Sequence, residues 1–213
     1  MLAPVSGLAA IPDQLSFEEA APLLCAGVTT FNALRHSKAR VGDLVAIQGI
    51  GGLGHLGIQF ANKMGFRTVA ISKGKDKEVL ARKLGAHLFL NPEEGDVALA
   101  LQKHGGAQVI LATAPSGKSI SPLIKGLGSR GELMVIGASD DPIDVTALQL
   151  ISSTLTIRGF ASGTAIDSED TMNFCALTGI RPMIEKFPLE KVAQAYEQMM
   201  TGRVRFRSVL MNA

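Results

Sequence analysis

Between the apolar run Leu44-Val45-Ala46-Ile47-Gln48 and a stretch with helical spacing stand six residues, Gly49-Ile50-Gly51-Gly52-Leu53-Gly54. The spacing G-x-G-x-x-G alone recurs by chance in many chains; a strand in front of it and a helix behind give it meaning. Gly49 permits a tight turn out of the strand. Gly51 lets the backbone approach a bound group with no Cβ in the way, and Gly54 lets the helix pack close on the sheet. Free N–H groups at the start of that helix face the bound group, where the helix dipole favours negative charge. The turn reads as a pyrophosphate cradle, with a purely structural glycine turn as the alternative.

Leu53, Leu56, Phe60 and Met64 recur at intervals of three and four, which sets them on one helix face, and Gly65 follows as a C-terminal cap. Downstream, β-rich runs alternate with helical stretches. The strands expected are Arg67 to Ile71, Ala86 to Leu90, Ala107 to Ala112, Glu132 to Gly137 and Thr154 to Arg158. Helices are expected near Lys77 to Leu84, Val97 to His104, Lys118 to Leu127 and Val145 to Leu150. With the first strand this makes a six-stranded α/β pattern. Right-handed crossovers then favour a doubly wound parallel sheet of the Rossmann kind, and near-continuous apolar strands suit a sheet covered on both faces.

The 213 residues, 46% apolar with 23 glycines, suit a folded α/β chain rather than a disordered one. A net charge near +2 with dispersed basic residues argues against nucleic acid or a membrane surface as partner. No apolar run approaches the roughly 20 residues of a membrane span, and Met1 to Ala10 lack the basic start of a signal peptide. Cys25 and Cys175 make no disulfide framework, so a reducing, cytoplasmic setting is expected.

Organisation changes near Ile166. Beyond it the chain reads as a helix (Ser168 to Leu177), an extended piece (Arg181 to Glu185), a helix opening at Pro188, and a strand (Arg205 to Met211). The last helix places Leu189, Val192, Ala193, Tyr196 and Met200 on one side and stops at Gly202. Ser16-Phe17-Glu18-Glu19 is a capping-type helix start. Three parts are expected: a segment 1–24, a dinucleotide-binding region 25–165, and a helix-strand segment 166–213.

Three blocks carry a family resemblance: Ala20-Ala21-Pro22-Leu23-Leu24-Cys25-Ala26-Gly27-Val28-Thr29-Thr30, Gly51-Gly52-Leu53-Gly54-His55, and Ala81-Arg82-Lys83-Leu84-Gly85-Ala86. In order and spacing they resemble the medium-chain dehydrogenase/reductase superfamily, in its zinc-dependent alcohol dehydrogenase branch. The resemblance covers nearly the whole chain. It implies a Rossmann domain whose companion, a GroES-like barrel, supplies most zinc ligands; the barrel's Cys and Gly-His-Glu segments and its four-cysteine loop do not occur in this sequence.

By that resemblance the parent reaction is hydride transfer between a nicotinamide and a primary alcohol or aldehyde, with zinc as Lewis acid. Cys25 matches the last protein ligand of the catalytic zinc, with a small structural cysteine as the alternative. Since a catalytic zinc takes about three protein ligands, this chain alone is expected to hold no zinc and to be inactive. Thr29 would touch the nicotinamide side, and backbone groups of Ile136, Gly137, Phe160 and Ser162 would line its ring. Gly49, Gly51, Gly52 and Leu53 would form the turn, with N–H groups of Gly52 and Leu53 on the pyrophosphate. Arg207 matches a family arginine that reaches the same phosphates; the plainer reading is a surface charge beside Arg203 and Arg205.

The second strand ends Ala70-Ile71-Ser72, with no carboxylate where an NAD site places one. Lys73, Lys75 and Lys77 follow at a helix start, an unfavourable place for cations unless an anion sits there. Ser72 with Lys73 or Lys77 would read a 2′-phosphate, which favours NADP over NAD; a solvated lysine cluster is the alternative. His55 is expected on the helix surface, with a contact to phosphate as the alternative, and His36, His87 and His104 have no evident catalytic partners. Gly126, Gly128 and Gly131 read as a turn before the fifth strand. Two other functions stay open: an inert NADP-binding module, and a dimerisation module. The apolar sixth strand, unsafe if left uncovered, points to a homodimer or larger assembly.

Overall fold

The computed structural model describes residues 2–212, so Met1 and Ala213, at the outer ends of the two terminal segments, lie outside it. Strands β1 (Leu44–Gln48), β2 (Arg67–Ile71), β3 (Leu88–Leu90), β4 (Ala107–Ala112), β5 (Leu127–Val135) and β6 (Thr156–Gly159) pair in parallel in the order β3-β2-β1-β4-β5-β6. This is the doubly wound order, in which the direction of winding switches between β1 and β4. The α-helices described are α1 (Phe17–Pro22), α2 (Val28–Arg35), α3 (Gly54–Lys63), α4 (Asp76–Lys83), α5 (Val97–Lys103), α6 (Gly117–Ile120), α7 (Ala147–Ser153), α8 (Ala165–Thr178) and α9 (Val192–Met200). None of them is long and apolar enough to cross a membrane.

Every residue of β1 is buried, because helices cover both faces of the sheet. Val45 and Ile47 pack with Leu56, Ile58 and Phe60 of α3 and Phe31 of α2. Leu44 and Ala46 face the other layer, with Val97 and Leu101 of α5 and Ile124. Alternation along one strand thus feeds two cores. The register Leu44↔Arg67 through Gln48↔Ile71 sets the ends of β1 and β2 level, so the turns that leave them open on the same edge.

Several boundaries differ from the sequence expectation, each for a local reason. The helix expected from Lys118 to Leu127 is α6 followed by a 3-10 turn, Ser121–Gly126, because Pro122 cannot give its nitrogen to a continuous helix. The expected turn at Gly128 and Gly131 is instead the irregular first half of β5, where the register with β4 slips between Ala107 and Val109. Gly106 and Gly128 make that possible: a Cβ on Gly106 would lie 2.5 Å from the Gly128 Cα. Thr154 is not in the sixth strand; it takes the left-handed conformation (φ 53°) that ends α7.

Pro188 ends a strand rather than starting a helix. Strands β7 (Ile184–Pro188) and β8 (Arg207–Met211) form a separate parallel pair, and a 3-10 turn, Leu189–Lys191, leads into α9. The apolar side read for the last helix is exposed, with Leu189, Val192, Tyr196 and Met200 all open to solvent; Ala195 is the buried residue of α9. The N-terminal segment packs on this unit. Lys186 Nζ meets Glu18 at 2.8 Å, Arg181 Nε meets Glu19 at 3.3 Å, and Arg181 donates to the Gln14 carbonyl at 2.9 Å. The hydrogen bond from Lys186 holds the Glu18 carboxyl well below its usual range, at about 2.

Candidate dinucleotide-binding cleft

The glycine turn leaves β1 at the switch point of the sheet, where doubly wound folds bind ligands. Gly49 has φ +93°, closed to most side chains. A Cβ on Gly54 would lie 1.8 Å from the Gly49 carbonyl oxygen, so the first turn of α3 presses directly on the loop. A Cβ on Gly51 would meet nothing within 4 Å: the backbone there is bare toward open space. The N–H groups of Gly52 and Leu53 have no hydrogen-bond partner among the described residues. No side chain caps α3, which leaves its N-terminus to an anion.

Around this turn lies a cleft of about 1160 Å³. That is just above the range of about 300–1,000 Å³ for small-molecule pockets, as an extended ligand needs. Gly49, Gly51, Gly52, Leu53, Ser72, Lys73, Lys77 and Arg207 all line it. Arg207 comes from β8, more than 150 residues away, and its Nη1 would stand 2.7 Å from a Cβ on Gly52. The arginine therefore lies across the turn and not on a bare strand edge. Ser72 is buried at the end of β2, Lys73 is exposed, and Lys77 is half-buried in the first turn of α4. Lys75, beside them, pairs with Glu94 at 3.2 Å; Lys73 and Lys77 form no ion pair among the described residues. Lys118 and Lys125 also line the cleft, against one carboxylate, Asp96. That carboxylate caps α5 by accepting the Leu99 N–H at 3.0 Å.

The far wall rests on residues that the sequence reading passed over. Gln48, buried at the end of β1, donates to Ser119 Oγ at 3.0 Å and accepts the Ala114 N–H at 3.1 Å. Thr113 Oγ1 donates to the Gln48 carbonyl at 2.8 Å. An amide closing an otherwise apolar buried strand was the available signal, since a buried amide needs partners.

Thr29, Ile136, Gly137, Phe160 and Ser162 do not line this cleft. They belong to α2 and to the loops after β5 and β6. The N–H groups of Ile136 and Gly137 donate to Ala112 and that of Phe160 to Val135, while the Ser162 carbonyl accepts from Asn32 at 3.4 Å. Their remaining groups, the carbonyls of Ile136, Gly137 and Phe160 and the Ser162 N–H, have no partner among the described residues.

His55 is not a surface residue. It is fully buried in the first turn of α3, and burial pulls its pKa down to about 4. Cys25 is exposed in a π-helical turn, Leu23–Gly27, and no three His, Cys, Asp or Glu side chains converge among the described residues. Cys25 is thus a single donor, where a catalytic zinc takes about three protein ligands.

The model of the family described as zinc-binding dehydrogenase matches residues 52–177, from the glycine turn to the end of α8. This chain belongs to that family. Within it, the chain corresponds to the Rossmann portion of a medium-chain dehydrogenase/reductase. An alcohol dehydrogenase of Penicillium expansum is 50% identical over 94% of the chain, and one of Geobacillus stearothermophilus 37% identical over 94%. The chain spans 58% and 60% of those relatives' lengths. Among solved structures, a cinnamyl alcohol dehydrogenase of Sorghum bicolor superposes with a TM-score of 0.81 at 30% identity, over 95% of this chain and 57% of that one.

Proposed function

We propose that this dehydrogenase-family chain binds NADP in the cleft at the switch point, as the cofactor-binding portion of an alcohol dehydrogenase or aldehyde reductase. The observation that carries the reading is the convergence of the unpartnered Gly52 and Leu53 N–H groups with the Arg207 guanidinium over a backbone that bears no side chain. Two N–H dipoles and a guanidinium suit a pyrophosphate, and guanidinium pairs with phosphate oxygens in a fork. After the end of the neighbouring strand β2, Ser72, Lys73 and Lys77 offer a hydroxyl and two cations where an NAD site would hold a carboxylate, which supports NADP over NAD.

Hydride transfer is chemistry that a nicotinamide supplies when bound. The chain's part is to hold the dinucleotide extended along the sheet edge. Thr29 and the free backbone groups of Ile136, Gly137, Phe160 and Ser162 would orient the ring beyond the turn. The three parts 1–24, 25–165 and 166–213 remain our working division, with Cys25 able to add one ligand to a zinc completed by other residues. Stoichiometric zinc in the purified chain would overturn that view.

Titration with NADPH and NADH tests the reading directly; the chain has no Trp to compete with nicotinamide fluorescence. NADPH should bind at least about tenfold more tightly than NADH, the worth of one charge-assisted contact. Equal affinities would remove the preference for NADP, and binding of neither would remove the cofactor reading. Arg207→Ala should weaken both by a similar factor, and unchanged binding would take Arg207 out of the site.

A second reading, a binding module without catalysis of its own, is favoured by the incomplete metal donor set. Turnover of a primary alcohol by the purified chain would exclude it. We also propose self-association through β6, the outer strand of the sheet; in the helix before it, α7, Leu148 and Ile151 are each 74% exposed. A monomeric mass by light scattering at micromolar concentration would count against it.

A further inference from the structure

His55 ties two distant pieces of the chain together. Its Nδ1 lies 2.8 Å from the carbonyl of Gly51, the bare glycine of the turn. Its Nε2 lies 3.1 Å from the backbone nitrogen of Met183, in the loop that enters β7. A carbonyl can only accept and an N–H can only donate, so the ring must be neutral, with its proton on Nδ1. The Met183 carbonyl in turn accepts the N–H of Arg207 at 3.2 Å and that of Phe206 at 3.0 Å. The Phe206 ring packs on the imidazole, with centroids 5.0 Å apart. An unbroken line of hydrogen bonds therefore runs from the Gly51 carbonyl through the His55 ring and Met183 to the backbone of Arg207.

On the reading that the cleft holds a dinucleotide pyrophosphate, we propose that His55 is a positioning residue that holds the strand bearing Arg207 over the glycine turn. The ring itself cannot touch the ligand, since it is fully buried and both nitrogens are occupied. It acts through the arginine and through the orientation of the Gly51 peptide. Burial first, and then the nearby Arg207 charge, disfavour the imidazolium, against the pull of the Gly51 carbonyl. The linkage is therefore kept in its neutral form near pH 7. Among the described residues no other side chain bonds to both the turn and the loop before β7: Gln59, one helix turn further on, bonds to Arg181 but not to the turn.

The test is a double-mutant cycle of His55→Leu and Arg207→Ala, read with NADPH and with adenosine 2′-monophosphate, which lacks the pyrophosphate. His55→Leu should weaken NADPH about tenfold while leaving adenosine 2′-monophosphate within about twofold, because only the former uses the turn. In the Arg207→Ala background, His55→Leu should add almost nothing. Additive losses, or equal weakening of the two ligands, would show a merely structural histidine and overturn the proposal. If His55→Leu does not fold, Met183→Pro deletes the N–H given to Nε2, leaves His55 in place, and is read in the same cycle with the same outcomes. Failure of the unmodified chain to bind NADPH would overturn the cofactor reading and this proposal with it; binding with an additive cycle would overturn only this proposal.

Discussion

Helices α3 and α9 carry the same kind of amphipathic spacing and meet opposite fates. In α3, Leu56 and Phe60 are fully buried against the parallel sheet. In α9, Val192 is 49%, Tyr196 61% and Met200 66% exposed, and the helix touches β8 through its small face at Ala195. Spacing shows that a face is apolar; it does not show what covers it. The first helix is positioned by a sheet that sequence-adjacent strands build. The second belongs to a two-stranded unit too small to cover it, and its apolar face has no partner among the described residues. Yet the cleft needs both, since the turn comes from one region and Arg207 from the other.

The contrast can be broken by substitution. Phe60→Ala should cost about 3–5 kcal/mol in chemical denaturation, the range for emptying a well-packed aromatic site. A loss under about 1 kcal/mol would mean that the α3 core is loose.

Protonation should act through His55, where the two regions join. Its folded pKa, about 4, lies below the ordinary value of 6.5. Above pH 6.5 neither state binds the proton and the full stability is present. As the pH falls from 6.5 toward 4, the unfolded chain takes up a proton that the folded one refuses, so stability is lost by up to about 3 kcal/mol. Glu18 acts in a lower window, from 4.5 down toward 2, because its carboxyl is held charged by Lys186. Unfolding midpoints measured across pH should therefore fall in two ranges, and His55→Leu should flatten only the upper one. A curve unchanged by that substitution would mean that His55 titrates normally.

The smallest effect is expected on the exposed side of α9. Tyr196→Ser should shift stability by no more than about 0.5 kcal/mol, as at other open surface positions. A loss comparable to that of Phe60→Ala would reveal a partner for that face, such as a second copy of the chain, and light scattering of the same variant would identify it.

Local signals made most of the sheet legible. The bounds of β1, β2 and β4 match the expected runs residue for residue, because parallel strands buried along most of their length leave a largely apolar pattern. Errors gathered where backbone geometry, and not hydrophobicity, decides: Pro122 within an expected helix, the bulged start of β5, and the left-handed Thr154. In the site, the glycine turn and the Ser72-to-Lys77 stretch could be read because each is a short contiguous segment with its own chemistry. Gln48 left a signal, a lone amide ending an apolar strand, but its partners lie 65 or more residues away, and the role of His55 depends on Met183, 128 residues on.

By itself, the sequence determined a doubly wound α/β chain with a bare glycine turn at the end of its first strand, because steric and hydrophobic periodicities act over a few residues. Only the tertiary structure decided that Arg207 lies across that turn, that His55 is buried and neutral beneath it, and that the apolar side of α9 faces outward. Each of these depends on how β7 and β8 dock against the sheet. Docking is settled by shape and hydrogen bonds between segments more than 100 residues apart, which no local pattern encodes.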